Sequence, residues 1–252
     1  MNPDLELAER AARAAGEVLL RRYGQEPEGL GSKSSDTDMV SDADREAERT
    51  IRELLEAERP RDGMLAEESS ESHGDSGRRW IVDPLDGTIN FLYGFPAWAV
   101  SIALEDGDGL AVGVVHSPVH RETFFAVRGQ GARLGDRPLR VRESSELSRA
   151  MVSTGFSYES ERRAEQAKVI SRLLPLARDI RRAGAAALDL AWVAAGRVDA
   201  FYERGLKAWD LAAGQLLVEE AGGTVLALTG TPPGVIAAAN QELADDLAEL
   251  VA

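Results

Sequence analysis

The chain has 252 residues, 44% of them hydrophobic, enough for one large core or two modest ones packed together. Its 29 basic and 43 acidic residues leave a net charge of -14, a field that repels phosphate backbones and anionic lipid and argues against nucleic acid or membrane as the primary partner. The absence of cysteine excludes disulfides, thiolate nucleophiles and thiolate metal sites, and is compatible with a reducing interior.

Leu5, Ala8, Ala12, Ala15, Leu19 and Leu20 repeat at three and four, which predicts an opening helix ending near Gly24. This stretch is charged throughout and lacks the apolar centre of a signal peptide. No run approaches the roughly 20 apolar residues of a membrane span, so the expected location is the cytoplasm. Residues 25–38 are rich in Gly, Ser and Asp and predict a mobile loop whose single basic residue is Lys33. Ser41 then precedes DADREAERTIRELLEAERP, where an N-cap, early acids and a closing proline bracket a second helix.

Past MLAEESSE comes the strand RWIVD, which should end at Asp83 because Pro84 cannot continue a central strand. From Trp98 to Leu134 short alternating runs broken by turn residues predict an antiparallel meander. The second half alternates instead: helices over ESERRAEQAKVISRLLPLA and AAALDLAWVAAGRV, strand DAFYE, helix KAWDLAAGQLLVEEAG, strands TVLAL and VIAAA, and a last helix from Gln241. The change of rhythm divides the chain into 1–145, a helix pair plus antiparallel sheet, and 146–252, an α/β half, forming one unit with a site between them.

The three histidines, His73, His116 and His120, are not spaced as a metal pair and read as surface or loop residues. If the chain is an enzyme, its working groups are then carboxylates, hydroxyls or bound metal. In DPLDGT, Asp83 and Asp86 project from one tip, while Gly87 and Thr88 allow close backbone approach and offer free amides to an oxyanion. Crowded carboxylates repel, and a hard divalent cation relieves that repulsion. The competing reading is an acid-rich surface turn with a capping aspartate. Glu67 and Glu68 follow a short apolar stretch and point opposite ways if extended, one toward a metal and one in support. Asp210 is a lone charge on an apolar stripe, and Asp44, early in its helix, also fits as an acid complementing the helix dipole.

These stations in this order, KSSDTDMVSDAD, LAEES, WIVDPLDGTINFLYGFPAWAVSIAL and RRAGAAALDLAWVAAGRVDAFYERGLKAWDLAAGQLLVEEAGG, resemble the inositol monophosphatase family of Mg2+-dependent, lithium-sensitive phosphatases, nearly end to end. The resemblance implies an α+β fold, a layered α-β-α-β-α sandwich, and commonly a homodimer. It implies that Glu67, Asp83 and the Leu85 carbonyl hold one Mg2+ and that Asp83, Asp86 and Asp210 hold a second. A third, weaker ion would sit near Glu67, with Lys33 and Glu68 as accessories. Thr88 and Asp44 would form a dyad that takes a proton from the attacking water, with Glu67 nearby. The amides of Gly87 and Thr88 would receive phosphate oxygens, Glu203 would bind substrate hydroxyls, and Ala185 would lie near the substrate where animal relatives often have threonine.

The implied reaction is hydrolysis of a small phosphate monoester, most simply inositol 1-phosphate, by direct attack of water. Paired metals roughly 3.5 to 4 Å apart can both activate water and stabilise the leaving oxygen. Ile89-Asn90-Phe91 after DGT resembles the inositol phosphatase branch, whereas relatives acting on 3'-phosphoadenosine 5'-phosphate usually carry Lys-Glu-Phe. Histidinol phosphate and fructose 1,6-bisphosphate stay open, and Lys207, in place of a histidine, adds a positive charge suited to a second anionic group. A regulatory binding subunit is the alternative of another class.

Overall fold

The structure, a computed structural model, describes residues 2–25, 31–32, 39–143 and 146–251, with backbone alone at 31–32 and 39–40. Lys33 lies outside the described residues, as does most of the loop expected at 25–38. Helix α1 (Pro3–Arg22) begins at Asn2, whose side chain accepts the amides of Asp4 at 2.9 Å and Leu5 at 3.3 Å. Leu20, placed on the apolar stripe by spacing, faces solvent, while Leu7 and Val18 are buried. Strands β1 (Gly31–Ser32) and β2 (Met39–Val40) pair antiparallel, and α2 (Asp42–Glu58) follows its Ser41 cap.

Strands β3 (Gly63–Ala66), β4 (Arg79–Asp86), β5 (Ala99–Asp106), β6 (Gly109–Ser117), β7 (Glu122–Val127), β8 (Gly131–Leu134) and β9 (Arg137–Pro138) form one sheet in chain order. Only β3–β4 is parallel, and the expected meander spans β5 to β8. Strand β4 does not stop at Asp83. It runs on to Asp86 with a register shift between the pairs Asp83↔Ser101 and Asp86↔Ala99, and Pro84, which has no amide to donate, falls in that irregularity. Helix α3 (Thr88–Leu92) follows at once.

The second sheet is built from β10 (Met151–Thr154), β11 (Asp179–Arg181), β12 (Ala200–Arg204), β13 (Thr224–Leu228) and β14 (Gly234–Ala238), in the order β11-β10-β12-β14-β13. Helices α4 (Ser160–Leu173), α5 (Ala186–Ala194), α6 (Ala208–Glu220) and α7 (Gln241–Val251) alternate with it. Sequence patterning misses β10 and β11, the first beside the rhythm change and the second a three-residue edge strand with no apolar alternation.

Side-chain alternation divides the interior into three cores. Trp80, Ile102 and Leu104 pack toward Leu7, Ile51 and Leu55 of α1 and α2. Their neighbours Ile81 and Ala103, with Val115 and Phe124, face the opposite way onto Leu188, Leu190 and Leu217 of α5 and α6. Tyr202, Ile236, Leu243 and Leu247 close the second sheet beneath α7. The result is the expected five-layer α-β-α-β-α sandwich, with α5 and α6 as the central layer.

His116 corrects an expectation. It is a buried residue of β6, not a loop residue. Gly16 of α1 makes the room, since a Cβ there would lie 2.8 Å from the imidazole Cδ2. Burial pushes its pKa down to about 4, and the Nδ1 atom contacts the Glu122 carbonyl at 3.1 Å and the Thr123 hydroxyl at 3.0 Å.

Candidate active site

A cavity of about 490 Å3 opens where the end of β4 meets the start of α5, the end of β12 and the start of α6. Glu67, Asp83, Leu85, Asp86, Gly87, Thr88, Glu203 and Asp210 all line it. Residues separated by more than a hundred positions are thus brought to one wall. Ala185 is buried between Gly184 and Ala186, which line the cavity, and its Cβ would lie 3.2 Å from a Cβ at Gly87. Glu68 is not on the wall, and its backbone amide turns back to Glu48 of α2 at 2.7 Å.

The turn is locked by its own atoms. Asp83 accepts the Leu85 amide at 2.9 Å, and Gly87 adopts φ 90° as the cap of α3. A Cβ at Gly87 would lie 2.9 Å from the Ala97 carbonyl oxygen and 3.2 Å from the Ala185 Cβ, so both conformation and space require glycine. Asp86 reaches across to the start of α5 and accepts the amides of Ala186 at 3.2 Å and Ala187 at 2.7 Å. Those bonds hold its carboxylate charged, but burial outweighs them and lifts its pKa to about 7.

Thr88 and Asp44 do meet. The Thr88 hydroxyl lies 3.0 Å from Asp44 Oδ1 and 3.1 Å from the Leu85 carbonyl, and Asp44 Oδ2 accepts from the Ser41 amide at 2.9 Å and the Ser41 hydroxyl at 2.6 Å. Asp44 is therefore more than a first-turn acid. It closes a capping box and anchors the threonine of a distant turn.

The electrostatics of the wall are those of crowded anions. Asp83 is held well above the carboxylate range, first by burial and then by Glu67, Asp86 and Asp210. Among the described residues no group of three or more acid or histidine side chains stands in finished metal-coordinating geometry. The donor set nonetheless fits a hard divalent ion. It is all carboxylate and carbonyl oxygen, without sulfur or imidazole, and its mutual repulsion is what a cation relieves. Arg162, Arg182, Arg204 and Lys207 give the same cavity cationic parts, with Arg162 paired to Glu159 at 2.8 Å and Arg204 bonded to the carbonyls of Thr229 and Pro232.

Sequence reasoning missed Asp189 and Gly155. Glu203 has its pKa lifted to about 8, by burial and then by Asp189, Asp210 and Asp86, against a smaller opposing effect of Arg182. Asp189, on the first turn of α5, is likewise pushed to about 8 by burial, with the Ser153 hydroxyl acting in the opposite direction. The Glu203 carboxylate lies over Gly155, where a Cβ would fall 1.9 Å from its Oε2. A lone acid in the apolar run AAALDLAWVA was the available signal, the same one that marks Asp210.

A model of the inositol monophosphatase family matches residues 1–252. The protein named Nus factor SuhB of Pasteurella multocida is 43% identical over 232 residues, 91% of this chain and 87% of that one. The crystal structure of extragenic suppressor protein suhB from Bartonella henselae superposes with a TM-score of 0.92 at 41% identity, covering 98% of this chain and 97% of that one. An IMPase of Thermotoga maritima gives 0.89 at 33%, covering 98% and 96%.

Proposed function

The chain belongs to the inositol monophosphatase family, and from that premise we propose that it hydrolyses a small phosphate monoester, most simply inositol 1-phosphate, with Mg2+. The observation that carries this reading is the convergence of Glu67, Asp83, Asp86 and Asp210 on one cavity beside the Gly87-Thr88 turn. Glu67, Asp83 and the Leu85 carbonyl would hold one ion, and Asp83, Asp86 and Asp210 another. Bound Mg2+ supplies positive charge and Lewis acidity to the phosphoryl group and the attacking water.

The chain's own residues do the rest. Asp44, already accepting two hydrogen bonds from Ser41, takes the Thr88 proton, which turns the Thr88 oxygen into an acceptor for a proton from water. Glu67 stands on the same wall to share that task. The Gly87 and Thr88 amides receive phosphate oxygens. Glu203, whose pKa is pushed up to about 8 by burial and by neighbouring carboxylates, presents its carboxyl group to substrate hydroxyls.

Release of phosphate from inositol 1-phosphate, histidinol phosphate, fructose 1,6-bisphosphate and 3'-phosphoadenosine 5'-phosphate, with Mg2+ and with chelator, tests the reading. The inositol ester should give the highest kcat/KM, and activity that survives chelation would sink the metal assignment. Attack is direct, so acid-quenched single turnovers should contain no phosphorylated aspartate. The same reading includes inhibition by lithium and a homodimer, checked by lithium titration and by mass in solution at micromolar concentration.

A regulatory role is the second reading, favoured by 43% identity to a protein named Nus factor SuhB. An Asp86→Asn chain that folds, loses turnover and still serves the cell would select it.

A further inference from the structure

Helix α2 buries two acids one turn apart, Asp44 and Glu48, 0% and 4% exposed. Like charges at i and i+4 repel along a helix, and burial strengthens the repulsion, so each requires donors of its own. Asp44 has Ser41 and Thr88. Glu48 Oε2 accepts the Glu68 amide at 2.7 Å, and its Oε1 lies 3.8 Å from the Arg52 guanidinium.

The Glu68 amide is the first backbone donor beyond Glu67. The Glu67 amide itself donates to the Val82 carbonyl of β4 at 3.2 Å. Strand β3 ends at Ala66 and the Glu67 amide still bonds β4, so it is beyond Glu67 that the chain leaves the sheet. Glu67 therefore hangs between two backbone bonds, one to the strand that carries Asp83 and one to the helix that carries Asp44. We propose that Glu48 is a positioning residue that seats Glu67 for the divalent cation through the Glu68 backbone amide, an inference that rests on Glu67 being a metal ligand.

On this view α2 is a single jig. Asp44 sets Thr88 and Glu48 sets Glu67, and the rise of four helical residues, about 6 Å, fixes the offset between the two anchor points. A carboxylate that merely satisfied a buried amide would matter to stability alone.

The full-length chain and its Glu48→Gln, Glu48→Asp and Glu48→Ala variants are titrated with Mg2+ without substrate. The rise of Tm with Mg2+ concentration gives the apparent affinity, and the Tm in chelator records stability separately. Gln keeps an acceptor oxygen at the same reach and should stay within about 3-fold of the parent, whereas Asp, one methylene short, and Ala should weaken Mg2+ by about 10- to 100-fold. Folded Asp and Ala variants with unchanged affinity overturn the proposal. So does the reverse order, Asp retained and Gln lost, which assigns the effect to charge. If the Ala variant does not fold, the Gln and Asp pair still decides. A parent chain whose Tm ignores Mg2+ removes the metal reading itself, and the proposal with it, a result distinct from all the others.

Discussion

Helices α2 and α6 begin with the same local device and use it differently. In each, an aspartate at the third helical position accepts the amide of the residue before the helix, Asp44 from Ser41 at 2.9 Å and Asp210 from Lys207 at 2.6 Å. Asp44 is closed in completely and holds the Thr88 hydroxyl. Asp210 is only half-buried and lines the cavity, where it raises the pKa of Asp83 and Glu203. A helix start fixes where a carboxylate stands. What packs in front of it decides whether that carboxylate anchors a neighbour or faces a ligand.

Removing each acid sharpens the contrast. On the proposed reading, in which Asp210 holds Mg2+, Asp210→Asn should lower kcat/KM by about 10^3-fold, since such a contact would carry several kcal/mol of transition-state charge stabilisation, and Mg2+ affinity should fall with it. Asp44→Asn should lower kcat by about 10^2-fold with Mg2+ affinity unchanged, because the Thr88 proton loses its acceptor while the metal wall stays intact. Steady-state rates over a Mg2+ series read both. A loss of Mg2+ affinity in the Asp44 variant alone would invert the comparison.

Acidity gives the next effect. Glu203 and Asp189, near 8, and Asp86, near 7, have folded values above their ordinary ones of 4.5 and 3.8, so the folded chain favours their neutral forms. Their contribution to stability is full below about pH 4 and is lost as pH rises through about 7 to 8. The Tm of chelator-treated protein should therefore fall between about pH 5 and pH 8. Saturating Mg2+ should flatten the part due to Asp86 and reduce, without removing, the parts due to Glu203 and Asp189, because Asp86 helps raise both and Asp210 also raises Glu203. Glu203→Gln should remove some of that remainder and raise KM by about 10-fold with little change in kcat, the loss of one hydrogen bond to substrate.

The smallest effect tests the cap alone. Ser41→Ala removes the hydroxyl bonds to Asp44 and to the Ala43 amide, and should lower stability by about 1 kcal/mol, a fall in Tm of about 2 to 4 °C for a chain of this size.

Much of this was legible in the sequence because periodicity reports one-sided burial. The α1 stripe, the β5 to β8 meander and the alternation of helix and strand beyond Ser160 follow from it, while α2 is read from its Ser41 cap, early acids and closing proline. Short edge strands such as β11 bury too little to leave a pattern, and a proline in the middle of a paired strand reads as an end when a register shift has absorbed it. The acids of DPLDGT and KAWDLAAG stand out as charges in apolar company. Asp189 carries the same signal but sits inside a helix recognised by its apolar residues, and Glu48 looks like any exposed helix glutamate until the Glu68 amide, just past β3, is brought to it.

The span from Asp86 to the amides of Ala186 and Ala187 has a temporal meaning. A nascent polypeptide displays the complete DPLDGT stretch roughly a hundred residues before the groups that seat its second acid have left the ribosome. Until then the turn is only a negatively charged junction of strand and helix. The amides of Ala186 and Ala187, and Asp210 itself, come with the middle helix layer, so a chain truncated before it should carry the signature without the assembled wall.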